Sequence, residues 1–120
     1  MRTLKDTPVM RKSYALSLKI VSLARVLGQE KREYELARQI LRSGTSVGAN
    51  VAEAQAGIST ADLSAKMSIA YKEAQETKFW LNLLYDSNLI EQPTFDELLT
   101  DADEVCRILY SILKRTNRIP

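Results

Sequence analysis

Residues 39–54 decide the fold: Gln39-Ile40-Leu41-Arg42-Ser43-Gly44-Thr45-Ser46-Val47-Gly48-Ala49-Asn50-Val51-Ala52-Glu53-Ala54. Gly44 and Gly48 admit two readings. A phosphate-cradling loop would need a strand before it and a Lys after the second glycine; no strand precedes this segment, and Ala49 follows Gly48. The other reading is a helix. Leu36, Ile40, Val47, Val51 and Ala54 recur at helical spacing along one side. The helix is an expensive one. Two glycines cost about 1 kcal/mol each relative to Ala, and the Thr, Ser, Val and Asn of residues 43–50 bring the loss to roughly 3–4 kcal/mol. Packing must offset it. Gly44, Gly48 and Ala52 lie four apart and form a smooth stripe against which a neighbouring helix can come close.

A polar seam runs beside that stripe. Gln39, Ser43, Ser46, Asn50 and Glu53 are spaced 4, 3, 4 and 3 residues apart, which is a heptad seam made of polar residues. On so weak a helix, part of it should be buried and hydrogen-bonded. Glu73, Glu76 and Thr77, one helix further on, are its expected partners. The seam then acts as a polar layer that fixes helix register. The competing reading is a carboxylate metal site built from Glu53, Glu73 and Glu76. Helical bundles that hold metals in this way usually add Glu-x-x-His, and this chain has no His. We therefore expect no catalytic residue, no metal and no cofactor.

The same punctuation extends in both directions. Thr7-Pro8 gives an N-cap and a first-turn proline. Two apolar sets follow on the first helix: Tyr14, Leu18, Val21 and Ala24, and beside them Leu16, Ile20, Leu23 and Leu27. Gly28 suits the left-handed position that ends a helix. Gly57 ends the second helix, and Ser59 to Asp62 caps the third. Ser87-Asn88 closes the third. Thr94 and Glu97 have capping-box spacing and open the fourth. Helices are expected at about residues 8–27, 34–56, 60–87 and 94–116. The fold class is all-α: an antiparallel up-down-up-down four-helix bundle in one domain, residues 1–120.

Composition agrees. The 120 residues are 45% hydrophobic and 27% charged, with only 4 Gly and 3 Pro, which argues against turn-rich sandwiches and barrels. With no His and one Cys, every imidazole-based site and any intrachain disulfide is excluded. Cys106 reads as a small core residue. Residues 1–8 carry no signal-peptide core, and no run of apolar residues is long enough to span a bilayer. The expectation is a cytoplasmic protein with no membrane partner.

Charge is unevenly distributed. Residues 1–42 carry ten Lys/Arg against four Asp/Glu, residues 43–104 three against eleven, and residues 105–120 four against none. Either neighbouring helices neutralise one another, or a basic face is offered to a polyanion. The candidate phosphate contacts are Arg11, Lys12, Lys19, Arg25, Arg38 and Arg42, with Lys114, Arg115 and Arg118. Arg42 adjoins the polar seam and could instead pair with an acid. The aromatic residues, Trp80 among them, are expected in the core or at a subunit interface rather than against nucleobases.

The segment Gln39 to Ala54 resembles the signature of the bacterial four helix bundle protein family. Its members include proteins encoded in intervening sequences of large-subunit ribosomal RNA genes. A relative is the accessory variability determinant of diversity-generating retroelements. The stretch Lys66-Met67-Ser68-Ile69-Ala70-Tyr71-Lys72-Glu73-Ala74-Gln75-Glu76-Thr77-Lys78-Phe79-Trp80-Leu81 is similar to the third helix of the same family. The likeness extends over about residues 8 to 116. It implies a ring-like homopentamer and no catalytic residues, with Asn50 and Glu53 as structural polar positions. The retroelement relative binds its reverse transcriptase and nucleic acid through a basic surface. The resulting expectation is a non-enzymatic oligomeric binding module that engages RNA, DNA or a nucleic-acid-processing protein such as a reverse transcriptase. The alternative is a protein-interaction scaffold with no nucleic-acid role.

Overall fold

Thr7 opens the first helix as its sequence suggests. Its hydroxyl accepts a hydrogen bond from the Met10 amide at 3.2 Å, and Pro8 sits in the first turn. The computed structural model describes residues 3–116. They form α1 (Pro8–Arg25), α2 (Tyr34–Gln55), α3 (Thr60–Asp86) and α4 (Gln92–Arg115).

Two helix boundaries differ from the sequence reading. α1 does not end on a left-handed Gly28. It widens into one π turn over Val26–Glu30, and Arg32 takes the left-handed conformation at φ 55°. The extra turn keeps Leu27 fully buried, and the Glu33 amide closes on the Leu27 carbonyl at 2.8 Å. At the other boundary, α4 begins at Gln92, so Thr94 and Glu97 lie inside the helix and form no capping box. Pro93 permits the earlier start, because a first-turn proline lacks only an amide that would have no helical partner. The other two caps form as expected. Ser59 accepts from the Asp62 amide at 3.1 Å. Asn88 takes φ 62°, and the amides of Asn88 and Leu89 return to the carbonyls of Tyr85 and Leu84, a Schellman closure.

Cross-helix contacts fix the topology. Residue numbers rise on one helix as they fall on its neighbour. Thr7 meets Gln55, and Ser17 meets Gly44. Ser43 meets Thr77, and Glu53 meets Lys66. Tyr71 meets Tyr110, and Tyr85 meets Phe95. Lys12 meets Glu104, and Lys19 meets Glu97. Each helix is therefore antiparallel to its chain neighbour, and α4 closes the ring against α1. The longest dimension is 44 Å, close to the roughly 40 Å that a helix of α3's length spans.

The core is aliphatic. Of the two apolar sets along the first helix and its π turn, the one facing inward is Leu16, Ile20, Leu23 and Leu27, joined by Val9, Met10 and, from the other set, Ala24. Tyr14 and Leu18 are exposed, and Val21 is half-buried. No aromatic residue is in the buried core; Tyr71, Trp80, Tyr85 and Phe95 are half-buried, and the others are exposed. Within the chain, the expected core packing of the rings is met only at the margin of the core, where Tyr71, Trp80 and Phe95 pack against it. The weak segment of α2 is stabilised from both sides. Val47 and Val51 are fully buried, and two such side chains contribute about 3–6 kcal/mol. That matches the propensity lost. The glycine stripe faces α1 within the same chain: a Cβ on Gly44 would meet Ile20, and one on Gly48 would meet Ser17.

Candidate binding surfaces

The polar seam resolves into separate contacts. Ser43 is fully buried, and its hydroxyl accepts from the Thr77 hydroxyl at 3.1 Å. This is the one seam position that joins α2 to α3 through the interior. Gln39 is exposed. Ser46 and Asn50 bond back along their own helix, to the carbonyls of Arg42 at 2.6 Å and Ser46 at 2.8 Å. Glu53 is exposed and pairs with Lys66 at 3.0 Å.

Arg42 is the seam's strongest neighbour. Its guanidinium bridges Glu73, at 2.8 Å, and Glu76. The Trp80 indole N–H also donates to Glu76, at 3.0 Å. The Glu76 carboxyl is held below its ordinary range, first by the Trp80 hydrogen bond and then by Arg42, against a burial penalty. Glu76 and Glu73 in turn raise the Arg42 pKa. Glu53 lies further along α2 with its own lysine. The three carboxylates considered for a metal are thus not brought together, and a guanidinium sits between the two that are. Among the described residues, no group of three or more potential metal-ligating acids or cysteines converges.

Most of the proposed basic face is paired within the chain. Arg11 binds Asp6 at 2.7 Å, and Arg38 binds Glu35 one turn away. Lys12 reaches Glu104 at 2.8 Å; Lys19 reaches Asp101 at 2.6 Å and Glu97 at 2.8 Å. The hydrogen bonds to Asp101 and then Glu97 raise the Lys19 pKa. Lys78 of α3 pairs with Asp103 at 2.6 Å and is raised by it. Basic α1 therefore lies along acidic α4, which favours mutual neutralisation as the reason for the uneven charge. Arg25, Lys114 and Arg115 form no ion pair with a described residue. Arg118 lies outside the described residues. Cys106 is buried, as expected, and desolvation pushes its thiol pKa up.

Two surfaces stand out that the charge reading named only in part, through Arg25 and Arg38 on one and Arg115 on the other. Val21, Arg25, Tyr34, Arg38 and Leu41 line a shallow groove of about 350 Å³ between α1 and α2. Leu18, one turn before Val21, is 56% exposed, and Tyr34 is 58% exposed. Ile69, Phe79 and Leu83 of α3 are exposed as well. The signal was the spacing of Tyr14, Leu18 and Val21, a second apolar set on a helix that needs only one for the core. The other surface is a larger groove at the opposite pole of the bundle, where Lys5, Arg107 and Arg115 converge. Among the described residues, no helix is long and apolar enough to cross a membrane.

The family model of the 23S rRNA-intervening sequence protein matches residues 5–111. Among solved structures, the chain is similar to a protein of unknown function from the S23 ribosomal protein family of Bacteroides thetaiotaomicron. The two are 42% identical with a TM-score of 0.86, over 88% of this chain and 95% of that one. Neither description names an activity. No curated protein matches.

Proposed function

The chain belongs to the 23S rRNA-intervening sequence protein family, and we propose that it is a non-enzymatic binding module that works as a homo-oligomer. The α1–α2 face is the surface that joins the copies. One observation carries this reading: Tyr14, Leu18 and Val21 form an apolar row on α1 beside Tyr34 and Leu41 of α2, outside a core already filled by Leu16, Ile20 and Leu23. Singly exposed apolar residues need no explanation, but a contiguous row is the pattern of an interaction surface. A copy number of five is what the family resemblance noted in the sequence implies.

A second reading concerns nucleic acid, and Arg25, Lys114 and Arg115, which form no ion pair with a described residue, favour it. Weak phosphate contacts repeated around a ring would add through multivalency. The paired Lys12, Lys19 and Arg42 take no part in it, because their charge is already balanced by acids. Protein engagement through the apolar face is therefore the leading mode, with nucleic acid second.

The test is the Leu18→Lys, Leu41→Lys double variant. Both positions are exposed, so the bundle should keep its far-UV circular dichroism while its mass by light scattering drops to that of one chain. A variant with the same mass as the parent would place the interface elsewhere. Fluorescence anisotropy with labelled RNA and DNA across a salt series tests the second reading. Binding should weaken linearly on a log–log plot and fall further in Lys114→Ala, Arg115→Ala. No binding at low salt would refute it.

A further inference from the structure

The largest groove described lies at the pole where α1 and α3 begin and α2 and α4 end. It holds about 720 Å³, within the roughly 300–1,000 Å³ of small-molecule sites. Its floor is apolar, made by Val9 and Met67, both buried, with Leu63, Ile108 and Ile112, which are half-buried. Among the described lining residues, Lys5, Arg107 and Arg115 supply all of the charge. The chain has 15 Asp and Glu, yet no described carboxylate lines this groove. None of the three cations forms an ion pair with a described residue, whereas Lys12, Lys19, Arg42, Lys66 and Lys78 all do.

The cations have a defined arrangement. Arg107, Ser111 and Arg115 follow one another at intervals of four residues on α4 and all line the groove. The two arginines are two helical turns apart, about 12 Å along the axis, with the Ser111 hydroxyl between them. Lys5 precedes α1. Its carbonyl accepts a hydrogen bond from the Gln55 side chain at 3.1 Å, and the Thr7 hydroxyl bonds to the same glutamine. That wall is therefore tied to the end of α2. Three cations that no described carboxylate pairs with, set over an apolar floor, match a ligand that is itself both anionic and apolar.

We propose that this groove binds an amphipathic organic anion. The apolar chain lies along the floor, and a carboxylate or phosphate head sits among Arg107, Ser111 and Arg115. Guanidinium groups suit either head, because each presents paired donors to two oxygens. The site is separate from the α1–α2 face and does not depend on copies assembling through it.

The test is isothermal titration of the full chain with decanoate, decyl phosphate and decyltrimethylammonium, each below its micelle-forming concentration. At least one anion should bind at one site per chain, and the cation with the same tail should bind about tenfold more weakly or not at all. The preferred anion identifies the head as carboxylate or phosphate. Acetate and inorganic phosphate, which lack the tail, should not bind detectably. Arg107→Gln, Arg115→Gln changes two exposed positions and should lower anion affinity about tenfold with unchanged circular dichroism. Equal binding of cation and anions, no binding of either anion, or undiminished binding to the double variant would overturn the proposal.

Discussion

Replacing Gly44 with Ala sets two physical effects of known sign against each other. Helix propensity favours the variant by about 1 kcal/mol. Packing opposes it. A Cβ on Gly44 would lie 2.6 Å from Ile20 Cγ2, 2.8 Å from its Cγ1 and 3.0 Å from its Cβ. These atoms are not the end of a flexible side chain. Ile20 is β-branched and 0% exposed, so they cannot swing aside, and α1 itself must shift. Overpacking of this kind costs about 1–3 kcal/mol. A shift of α1 also strains the hydrogen bond that Ser17 donates to the Gly44 carbonyl at 3.1 Å, worth about 1 kcal/mol. The net expectation is a loss of roughly 1–3 kcal/mol, read as a fall of several degrees in melting temperature at fixed protein concentration. Gly28→Ala is the control. Its Cβ would meet nothing closer than 3.9 Å, so it should be neutral or stabilising. Ile20→Ala, costly alone, should rescue part of the Gly44→Ala loss in the double variant. A Gly44→Ala protein as stable as the parent, or strict additivity with Ile20→Ala, would refute the close α1–α2 approach.

Three further outcomes follow from the side-chain contacts. The Glu76 pKa is lowered in the folded state from an ordinary value of 4.5, so its stabilising effect is present above that value and is lost as pH falls through the folded pKa. Urea midpoints should decline with acid below about pH 4.5, and Glu76→Gln should flatten that decline. Asn50→Leu should change the melting temperature little, because Asn50 bonds only to its own helix, whereas Thr77→Val should cost about 1–3 kcal/mol by leaving the buried Ser43 hydroxyl without its cross-helix partner. Cys106 should react with a thiol-directed maleimide slowly in the native chain and quickly in denaturant; rapid native labelling would contradict its burial.

The fold was legible wherever one local signal pointed one way. Thr7, Ser59 and Asn88 each cap or close a helix through short-range geometry, and the Gly44–Gly48 stripe announces a close neighbour. Ambiguity entered where two local solutions were equally good. Gly28 is a natural helix end, yet burying Leu27 extends the chain through a π turn and moves the left-handed residue to Arg32. α1 carries two apolar sets, and periodicity alone does not say which faces the core. Charge was the least legible. Lys12 and Lys19 read as surface cations until the antiparallel register of α1 and α4 sets Glu104, Glu97 and Asp101 opposite them. Arg107, Ser111 and Arg115 are spaced for one helix face, but the groove they line appears only when the three other helices supply its remaining wall and floor.

The most direct test of the account is the native mass of the unmodified chain across a dilution series. Assembly through the α1–α2 face predicts a species several times the 13.6 kDa of one chain, persisting on dilution and lost in Leu18→Lys, Leu41→Lys. A protein that remains at the mass of one chain throughout the series would contradict it.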